Sequence, residues 1–381
     1  MKLVKNVGAD VGNDALKIYL GEANAETKIK LEVMNVVAPG YQRRILGIEK
    51  GQLVNLLDVN IYEEDQDLGR YFVGGIAFKE GRGDLIEKSK RDKKAKSLDT
   101  IILLMTGIAY AMYDPNNPKK TENIALGTLL PTEEYWDDEL IKEFSQKLKK
   151  SYRVKFNSTS FKGADITLNI VEHEIQPESA AGVLANIYDV DGNPRKGMEN
   201  ADKETHLGIF IGSITTEISI FENGEFNPKG FFGIELGTSD PLDRIIEDLG
   251  VNMTRHQMDY IIRNNKSLVI NEGGETVDKT GDLVASKERR FSFFVKQLVN
   301  DINKKLGKQG INTSLINKVD LGGGGSITVI DNLKKEIGLA NVNLVEDPRF
   351  ANALGALYSI IAKQSEQDSA GEVFTSEEVS N

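Results

Sequence analysis

Short apolar runs separated by turn signals dominate the first third of the chain. Four of these runs are predicted to form β-strands, and Asn13–Asp14 is a hairpin turn inside the first of them. The four runs are VGADVGNDALKIYL, IKLEVMNVV, LVNLLDVNIYE and RYFVGGIAF. A helical pattern follows over about residues 98–113, where Asp114–Pro115 ends it. Strand and helix patterns therefore alternate, which indicates an α/β fold.

The same alternation continues along the rest of the chain. We predict a strand in ENIALGTLLP, an amphipathic helix in EEYWDDELIKEFSQKLKK, and a strand, proline turn and helix in ADITLNIVEHEIQPESAAGVLANIY. After a polar loop we predict hairpin strands over 207–232 and helices over 239–249 and 288–306. The last predicted elements are a strand in KVDLGGGG and helices in ITVIDNLKKEIG and PRFANALGALYSIIAKQ.

Length and composition indicate two domains. A chain of 381 residues is too long for one ordinary core, and 40% hydrophobic with 28% charged residues is typical of a soluble globular protein. We place one boundary in the polar loop DVDGNPRKGMENADKE. Domain I is predicted to comprise residues 1–188 and 345–364, and domain II residues 189–344. Residues 365–381, with five acids and no base, are predicted to form a disordered acidic tail.

Composition also excludes several kinds of chemistry. The chain has no cysteine, so disulfides, a thiol nucleophile and a zinc site with cysteine ligands are all excluded. Its three histidines, His173, His206 and His256, have no metal-ligand spacing and are expected to be hydrogen-bonded or exposed. A net charge of −11 argues against direct binding of nucleic acid. With no signal peptide expected and no apolar run long enough for a bilayer, we predict a cytoplasmic protein without a membrane partner.

One segment, KSKRDKKAK over residues 88–96, is strongly basic, with six Lys or Arg among nine residues. Two interpretations remain open for it. The segment is either a solvated loop or helix start, or a contact for a polymer or another partner.

A hairpin pattern repeats at an offset of 200 residues. The residues DVGN from Asp10, followed by Ile18, correspond to FIGS from Phe210, followed by Ile218. Such self-similarity indicates a duplicated fold. Each turn contains a glycine, which permits close approach of the backbone, and consecutive N–H groups in such a turn can bind an anion. Two such turns predict a clamp for a polyphosphate.

A third glycine-rich turn lies in VDLGGGGSITVI, where four glycines follow a predicted strand and precede a predicted helix. Such a run is expected where a flat ring or a ribose lies on bare backbone and a helix N-terminus faces phosphate, although tight packing alone also produces glycine turns. The chain contains neither a Walker A loop nor a G-x-G-x-x-G fingerprint after a strand. A P-loop ATPase and a Rossmann dehydrogenase are therefore disfavoured.

Together these motifs resemble the ParM/StbA family of plasmid-segregation actin-like ATPases. The resemblance rests on ADVGNDALK, LGTLLPTEEY, IQPESAAG, FIGSITTEIS, LGGGGS and FANALGALYSI, spread over about residues 6–364 in the family's order. It implies the actin, Hsp70 and sugar-kinase superfold, with two related α/β domains, mixed sheets flanked by helices, and a nucleotide cleft between the domains. It further implies ATP or GTP with Mg²⁺, assembly of the chain into filaments, and a DNA-binding adaptor protein on a plasmid centromere.

The resemblance also assigns roles to residues. Asp10 would coordinate Mg²⁺ through water, although it could instead cap its own turn. Glu178 would orient the attacking water, although an acid in the first turn of a helix is also favoured by the helix dipole. Glu217 keeps an acid in the second hairpin. The nucleotide-binding residues implied are Asp10, Gly12, Asn13, Lys17, Gly212, Ser213, Thr215, Thr216, Gly237, Thr238, Gly322, Gly323, Gly324 and Gly325.

Two predicted helices, in ESAAGVLANIY and FANALGALYSI, are rich in alanine and glycine. Small residues let two helix backbones cross closely, and such a crossing could act as a hinge between domains or serve ordinary tight packing.

The chain departs from the family at Phe210, where the second hairpin normally begins with Asp. A phenyl ring can neither hold a metal-bound water nor accept its proton, and losing a positioned acid or base lowers a rate by roughly 10²–10⁴. We therefore expect nucleotide binding with slow hydrolysis. Two alternatives remain, a non-hydrolysing scaffold and a small-molecule kinase of the same superfold. The kinase would need a further catalytic acid, for which the sequence offers no motif.

Overall fold

The chain divides into two compact units in a computed structural model that describes residues 3–21, 29–44, 49, 51–80, 93–338 and 341–377. The first unit comprises Met1–Arg195 and Asn352–Asn381, and the second comprises Lys196–Ala351. The boundaries predicted from the sequence, after residues 188 and 344, lie a few residues earlier in the chain. Among the described residues, no helix combines the length and the apolar character needed to cross a bilayer.

The first unit is built on a nine-stranded mixed sheet in the order β3-β2-β1-β7-β9-β8-β5-β6-β4. Its strands are β1 (Val4–Val11), β2 (Ala15–Leu20), β3 (Ile29–Met34), β4 (Val37–Pro39), β5 (Leu57–Glu63), β6 (Gln66–Val73), β7 (Lys119–Leu130), β8 (Ser151–Phe156) and β9 (Asp165–Pro177). The neighbours β1, β7 and β9 are parallel, whereas the other pairs are antiparallel. The carboxyl ends of these three strands therefore lie at one edge of the sheet.

The helices of this unit are α1 (Gly75–Glu80), α2 (Leu98–Ala111), α3 (Thr132–Tyr135), α4 (Asp138–Leu148), α5 (Ala180–Ile187) and α10 (Ala351–Glu377, which begins at the unit boundary). Ten of the fourteen residues of α2 are buried, so this helix forms part of the core on all sides. The helix predicted after β7 is divided into α3 and α4. The division follows from Asp137, whose carboxylate accepts hydrogen bonds from the Glu139 and Leu140 amides at 3.1 and 3.2 Å and so starts a new helix.

The second unit has a smaller mixed sheet in the order β12-β11-β10-β16-β17, with β13 also pairing with β11, and a separate β14–β15 hairpin. Its strands are β10 (Thr205–Ile211), β11 (Thr216–Glu222), β12 (Glu225–Phe226), β13 (Phe232–Ile234), β14 (Val269–Glu272), β15 (Glu275–Asp278), β16 (Lys318–Gly322) and β17 (Val342–Leu344). Its helices are α6 (Ser239–Leu249), α7 (Arg255–Arg263), α8 (Thr280–Lys308) and α9 (Gly324–Ile337). Phe291, Phe294 and Leu298 of α8 pack into the core under this sheet.

The repeat at an offset of 200 residues extends to the strand register. Asp10 lies opposite Lys17 in the β1–β2 hairpin, and Phe210 lies opposite Glu217 in the β10–β11 hairpin. In each unit the first strand of the hairpin also has a parallel neighbour, β7 or β16. The α/β architecture with mixed sheets flanked by helices is thus confirmed.

Two elements that carry recognisable local signals were not predicted from the sequence. Helix α7 begins with a capping box, in which Thr254 and Gln257 bind each other's backbone amides. The β14–β15 hairpin turns at Gly273–Gly274, both with positive φ. The structure also continues α10 to Glu377, where a disordered tail was predicted from residue 365. Extending an existing helix needs no new nucleation, and this segment contains no proline. Residues 378–381 lie outside the described residues.

The backbone of α10 lies directly on two glycines of the sheet. Gly8 and Gly127 are partners in the β1–β7 register. A Cβ at Gly8 would lie 2.1 Å from the Ala353 carbonyl oxygen, and one at Gly127 would lie 1.7 Å from the Ala356 carbonyl oxygen. Gly355 of α10 is equally close to α5, because its Cβ would lie 2.0 Å from the Ala181 carbonyl oxygen. The predicted close crossing of the two small-residue helices is therefore present, and both lie in the first unit.

We predict that Gly127→Ala destabilises the protein by about 3 kcal/mol or more, because the added methyl forces the α10 backbone off the sheet. The midpoint of thermal unfolding should fall by about 10 °C. Gly281→Ala is the matched control, because Gly281 lies in α8 with nothing within 4 Å of its Cβ position. An equal fall for both variants would contradict the close seating of α10.

Candidate functional site

The β1–β2 turn carries the first group of predicted site residues. Asp10 lies near the end of β1 with 6% of its surface exposed, and its carboxylate is 4.0 Å from the Lys17 ammonium. The Gly12 amide donates to the Ala15 carbonyl at 3.1 Å and closes the turn. Asn35 donates from its side chain to the Gly12 carbonyl at 2.7 Å. The structure thus brings Asp10, Gly12 and Lys17 together at a turn that is fixed from both sides.

Glu178 lies just beyond the end of β9, where its amide donates to the Leu130 carbonyl at 2.9 Å. Helix α5 begins only at Ala180 and has no acid in its first turn, so Glu178 is not the first-turn acid that was the alternative interpretation. The next residue, Ser179, is fully buried with φ at +68°. Its hydroxyl has no hydrogen-bond partner among the described residues. Such a backbone conformation costs about 1–3 kcal/mol and is typical of functional sites.

The partner of Glu178 is Lys94, which was not predicted as a site residue. The ammonium of Lys94 contacts a carboxylate oxygen of Glu178 directly, and each side chain is 12% exposed. Burial alone would lower the pKa of the Lys94 ammonium, but attraction by Glu178 and then by Asp10 outweighs burial, so the pKa is raised. The sequence feature that could have indicated Lys94 is the basic segment 88–96. Residues 88–92 of this segment lie outside the described residues. Lys94 points inward, unlike a solvated loop residue.

Asp10, Lys17, Lys94 and Glu178 therefore form one charge cluster in the first unit. Each side chain is at most 12% exposed. These four groups are two acids and two bases, and the buried Glu134 carboxylate beside Lys94 adds a third acid. It lies beyond the carboxyl ends of β1 and β9, the edge at which open α/β sheets bind their ligands.

The β10–β11 turn carries the second group of predicted residues, in the second unit. The Gly212 amide closes the turn by donating to the Thr215 carbonyl at 2.9 Å. The Thr238 amide donates to the Gly212 carbonyl at 3.1 Å, and the Ser239 amide donates to the Ser213 carbonyl at 2.8 Å. A Cβ at Gly237 would lie 2.3 Å from the Ser213 carbonyl oxygen. The start of α6 is therefore packed directly on the turn.

These contacts show that some of the residues predicted to bind nucleotide have structural roles. The Gly12 and Gly212 amides close their own turns, so a phosphate would be bound by amides nearer the turn tips, such as those of Asn13 and Ser213. Thr216 is fully buried, and its hydroxyl donates to the Leu236 carbonyl at 2.7 Å. The Thr216 side chain therefore stabilises the β11–β13 region.

The protein itself fills most of the space around the four-glycine run. A Cβ at Gly322 would lie 2.1 Å from the Phe210 ring, and one at Gly325 would lie 2.6 Å from the Thr238 methyl. Gly323 has φ at +79°, and its Cβ would lie 2.4 Å from the Ile211 carbonyl oxygen. At Gly324, the first residue of α9, the nearest atoms are 4.0 Å away on Arg349. Of the four glycines, Gly324 alone leaves room for another group.

Phe210 is buried, with 3% of its surface exposed, and its ring covers Gly322. Glu217, directly opposite on β11, projects from the same sheet face and is 4% exposed. A Cβ at Gly233 would lie 3.1 Å from a Glu217 carboxylate oxygen. Since Gly233 lies on β13, on the other side of β11 from β10, the Glu217 carboxylate leans away from Phe210.

A preformed metal cage is absent from the part of the chain that the structure describes, where no three acidic or histidine side chains are grouped to hold an ion. A single buried carboxylate such as Asp10 suits Mg²⁺, which usually keeps several waters and takes phosphate oxygens as ligands. Two histidines have other partners. His173 shares a hydrogen bond of 2.8 Å with Ser145, and His206 one of 2.7 Å with Asp320.

No protein-family model and no curated protein matches the chain. Solved structures do match over nearly its whole length. The actin-like protein Alp7A superposes with a TM-score of 0.77 at 14% identity, covering 96% of this chain and 98% of its own. ParM of Bacillus thuringiensis with AMPPNP gives 0.69 at 18%, covering 95% and 100%. A 15-stranded ParM filament from Clostridium botulinum gives 0.69 at 18%, covering 94% and 99%. The chain therefore has the fold of these actin-like proteins.

We predict that Gly323→Ala lowers the midpoint of thermal unfolding by about 5 °C or more, whereas Gly324→Ala changes it by less than about 2 °C. Gly323 needs a positive φ and is close to the Ile211 backbone, while Gly324 begins a helix with space beside it. Differential scanning calorimetry of the two neighbouring variants makes the comparison. Equal stability of both would show that Gly323 is not constrained.

Proposed function

We propose that this chain is a nucleotide-dependent actin-like protein of the cytoplasm, which polymerises and segregates plasmid DNA through a DNA-binding adaptor. The observation that supports the proposal is the whole-chain likeness to ParM structures. Among them are Bacillus thuringiensis ParM with ATP and with ADP, and a 15-stranded ParM filament. The sequence motifs at the β1–β2, β10–β11 and β16–α9 turns support the same proposal.

Nucleotide binding is assigned first to the turns of the two units. In the first unit, the Asn13 amide and the Lys17 ammonium would bind phosphate, and Asp10 would hold Mg²⁺ through water. In the second unit, Ser213 and Thr215 of the β10–β11 turn and Thr238 beside it would bind phosphate. Gly324 would offer bare backbone to the ring or ribose, and the N-terminus of α9 would face phosphate. ATP is favoured by the ParM structures that contain it, and GTP is the alternative to be tested.

Filament formation needs a head-to-tail contact, because heterologous contacts that do not close into a ring produce an open polymer. Cleavage of the bond to the terminal phosphate of the bound nucleotide would limit the lifetime of such a polymer. Glu178 is the residue proposed to orient the attacking water. Its contact with Lys94 and the strained turn at Ser179 hold it at the edge of the sheet where Asp10 lies.

Hydrolysis is proposed to be slow, because Phe210 buries an apolar ring where the resemblance expects an acid. A non-hydrolysing scaffold is the second candidate function, and the same observation favours it. The two candidates differ in phosphate release and agree in nucleotide-dependent assembly.

The primary test is sedimentation of the chain with Mg²⁺ and ATP, GTP or AMPPNP, together with measurement of phosphate release. We expect a triphosphate to shift the protein into the pellet. Glu178→Gln should reduce phosphate release about a hundredfold while leaving assembly intact, because the amide can still accept a hydrogen bond from Lys94 but lacks the charged carboxylate that would orient the attacking water.

Glu133→Gln provides the control, because Glu133 is an exposed acid on α3. Absence of any nucleotide-dependent pellet would reject the filament proposal. Assembly without measurable release in the unmodified chain would select the scaffold.

A second test restores an acid at position 210. Phe210→Asp alone would place two carboxylates opposite each other, since Glu217 is the cross-strand partner, and like charges there are destabilising. We therefore predict that Phe210→Asp combined with Glu217→Gln accelerates phosphate release about tenfold or more and shortens filament lifetime. Glu217→Gln alone is the control and should release phosphate at the original rate. A slower double variant with an intact fold would show that Phe210 does not limit hydrolysis.

A further inference from the structure

The sequence motifs assign no role to Lys94, yet several hydrogen bonds fix the backbone that carries it. Glu134 of α3 is 5% exposed, and its two carboxylate oxygens accept hydrogen bonds from the Lys94 and Ala95 amides at 3.0 and 2.9 Å. Lys147 of α4 donates to the Ala95 and Lys96 carbonyls at 2.8 and 3.0 Å. Two charged side chains thus hold the backbone on either side of the Lys94 side chain.

A purely stabilising role does not account for this arrangement. Taking a lysine and a carboxylate out of water is costly, and an apolar pair of similar volume is often as stable or more stable. Lys94 and Glu178 are nevertheless paired at 12% exposure each, in a cluster that already contains Asp10 and Lys17. Charged groups that are kept in such a place are expected to serve a ligand.

The electrostatics of the cluster indicate what that ligand is. Three acids, Asp10, Glu134 and Glu178, surround Lys94 and Lys17, so this region does not attract an isolated anion strongly. Mg²⁺ held through Asp10 would add positive charge and favour an anion beside it. The Lys94 ammonium has three N–H donors, so it can keep one on Glu178 and donate another to a phosphate oxygen.

We propose that Lys94 binds the terminal phosphate of a nucleoside triphosphate and holds Glu178 beside that phosphate. This inference rests on the proposed nucleotide-binding function. A diphosphate lacks the group that Lys94 would contact, so Lys94 distinguishes the two nucleotide states. In the absence of triphosphate, Glu178 is the partner that keeps the lysine in place.

The test is calorimetric binding of Mg²⁺-AMPPNP and Mg²⁺-ADP to the full chain and to Lys94→Met. We expect the affinity for AMPPNP to fall about tenfold or more, because a charge-assisted hydrogen bond is lost, and the affinity for ADP to stay within about twofold. Lys93→Met is the matched control. It removes the same charge from an exposed neighbouring residue and should change neither affinity.

Lys94→Met leaves the Glu178 carboxylate without its lysine, and this could disturb the fold. A double variant, Lys94→Met with Glu178→Gln, removes both charges and keeps the test valid. The double variant should show the same selective loss of AMPPNP affinity. Thermal unfolding without nucleotide reports whether each variant is folded.

The possible results separate the two proposals. If the unmodified chain binds neither nucleotide, the proposed function itself fails. Suppose that the unmodified chain binds both nucleotides. If the folded Lys94 variants then lose affinity for AMPPNP and ADP equally, or lose affinity for neither, the proposal that Lys94 binds the terminal phosphate is overturned.

Discussion

The contact between the α10 backbone and the paired glycines Gly8 and Gly127 is the constraint on which the first unit depends. These residues are register partners on parallel strands, so together they form a flat area without side chains. Carbonyl groups of α10 lie where the two Cβ atoms would be. Any side chain at either position would move the helix, and with it the contact between Gly355 and α5. The positions of β1, β7, α5 and α10 are therefore fixed relative to one another.

That constraint also places the charge cluster. β1 ends just after Asp10, β7 ends at Leu130, and β9 ends at Pro177, which is the register partner of Leu130. Because the three strands are parallel and in fixed register, their carboxyl ends bring Asp10 and the backbone of Glu178 to one edge. Lys17 lies opposite Asp10 on β2. Lys94 comes from a distant segment of the chain, and the Glu134 carboxylate secures the backbone that carries it.

The sequence was sufficient to predict the elements and motifs whose signals are local. The duplicated hairpins, the glycine run, the small-residue helices and Glu178 after its proline could all be identified from short stretches. Lys94 could not, because 84 residues separate it from Glu178 and its basic neighbours resemble a solvated segment. The sequence also does not reveal why a glycine is needed at each position. A glycine needed by Phe210 and one that leaves space for a ligand look identical in a sequence.

Phe210 is tied to its surroundings in a way that a single residue change would not reverse. Its ring occupies the space that Gly322 leaves, and Gly322 is followed at once by Gly323, the residue that precedes α9. In the first unit, the corresponding register pair is Asp10 with Lys17; in the second it is Phe210 with Glu217. The two hairpins therefore share a backbone register but differ in charge at this pair. In the first unit both members are charged and lie 4.0 Å apart, whereas in the second unit Glu217 is the one charged member, and its carboxylate leans towards β13. Phe210, on β10, lies between Glu217 on β11 and the glycine run that follows β16, so an apolar ring separates that carboxylate from the glycines.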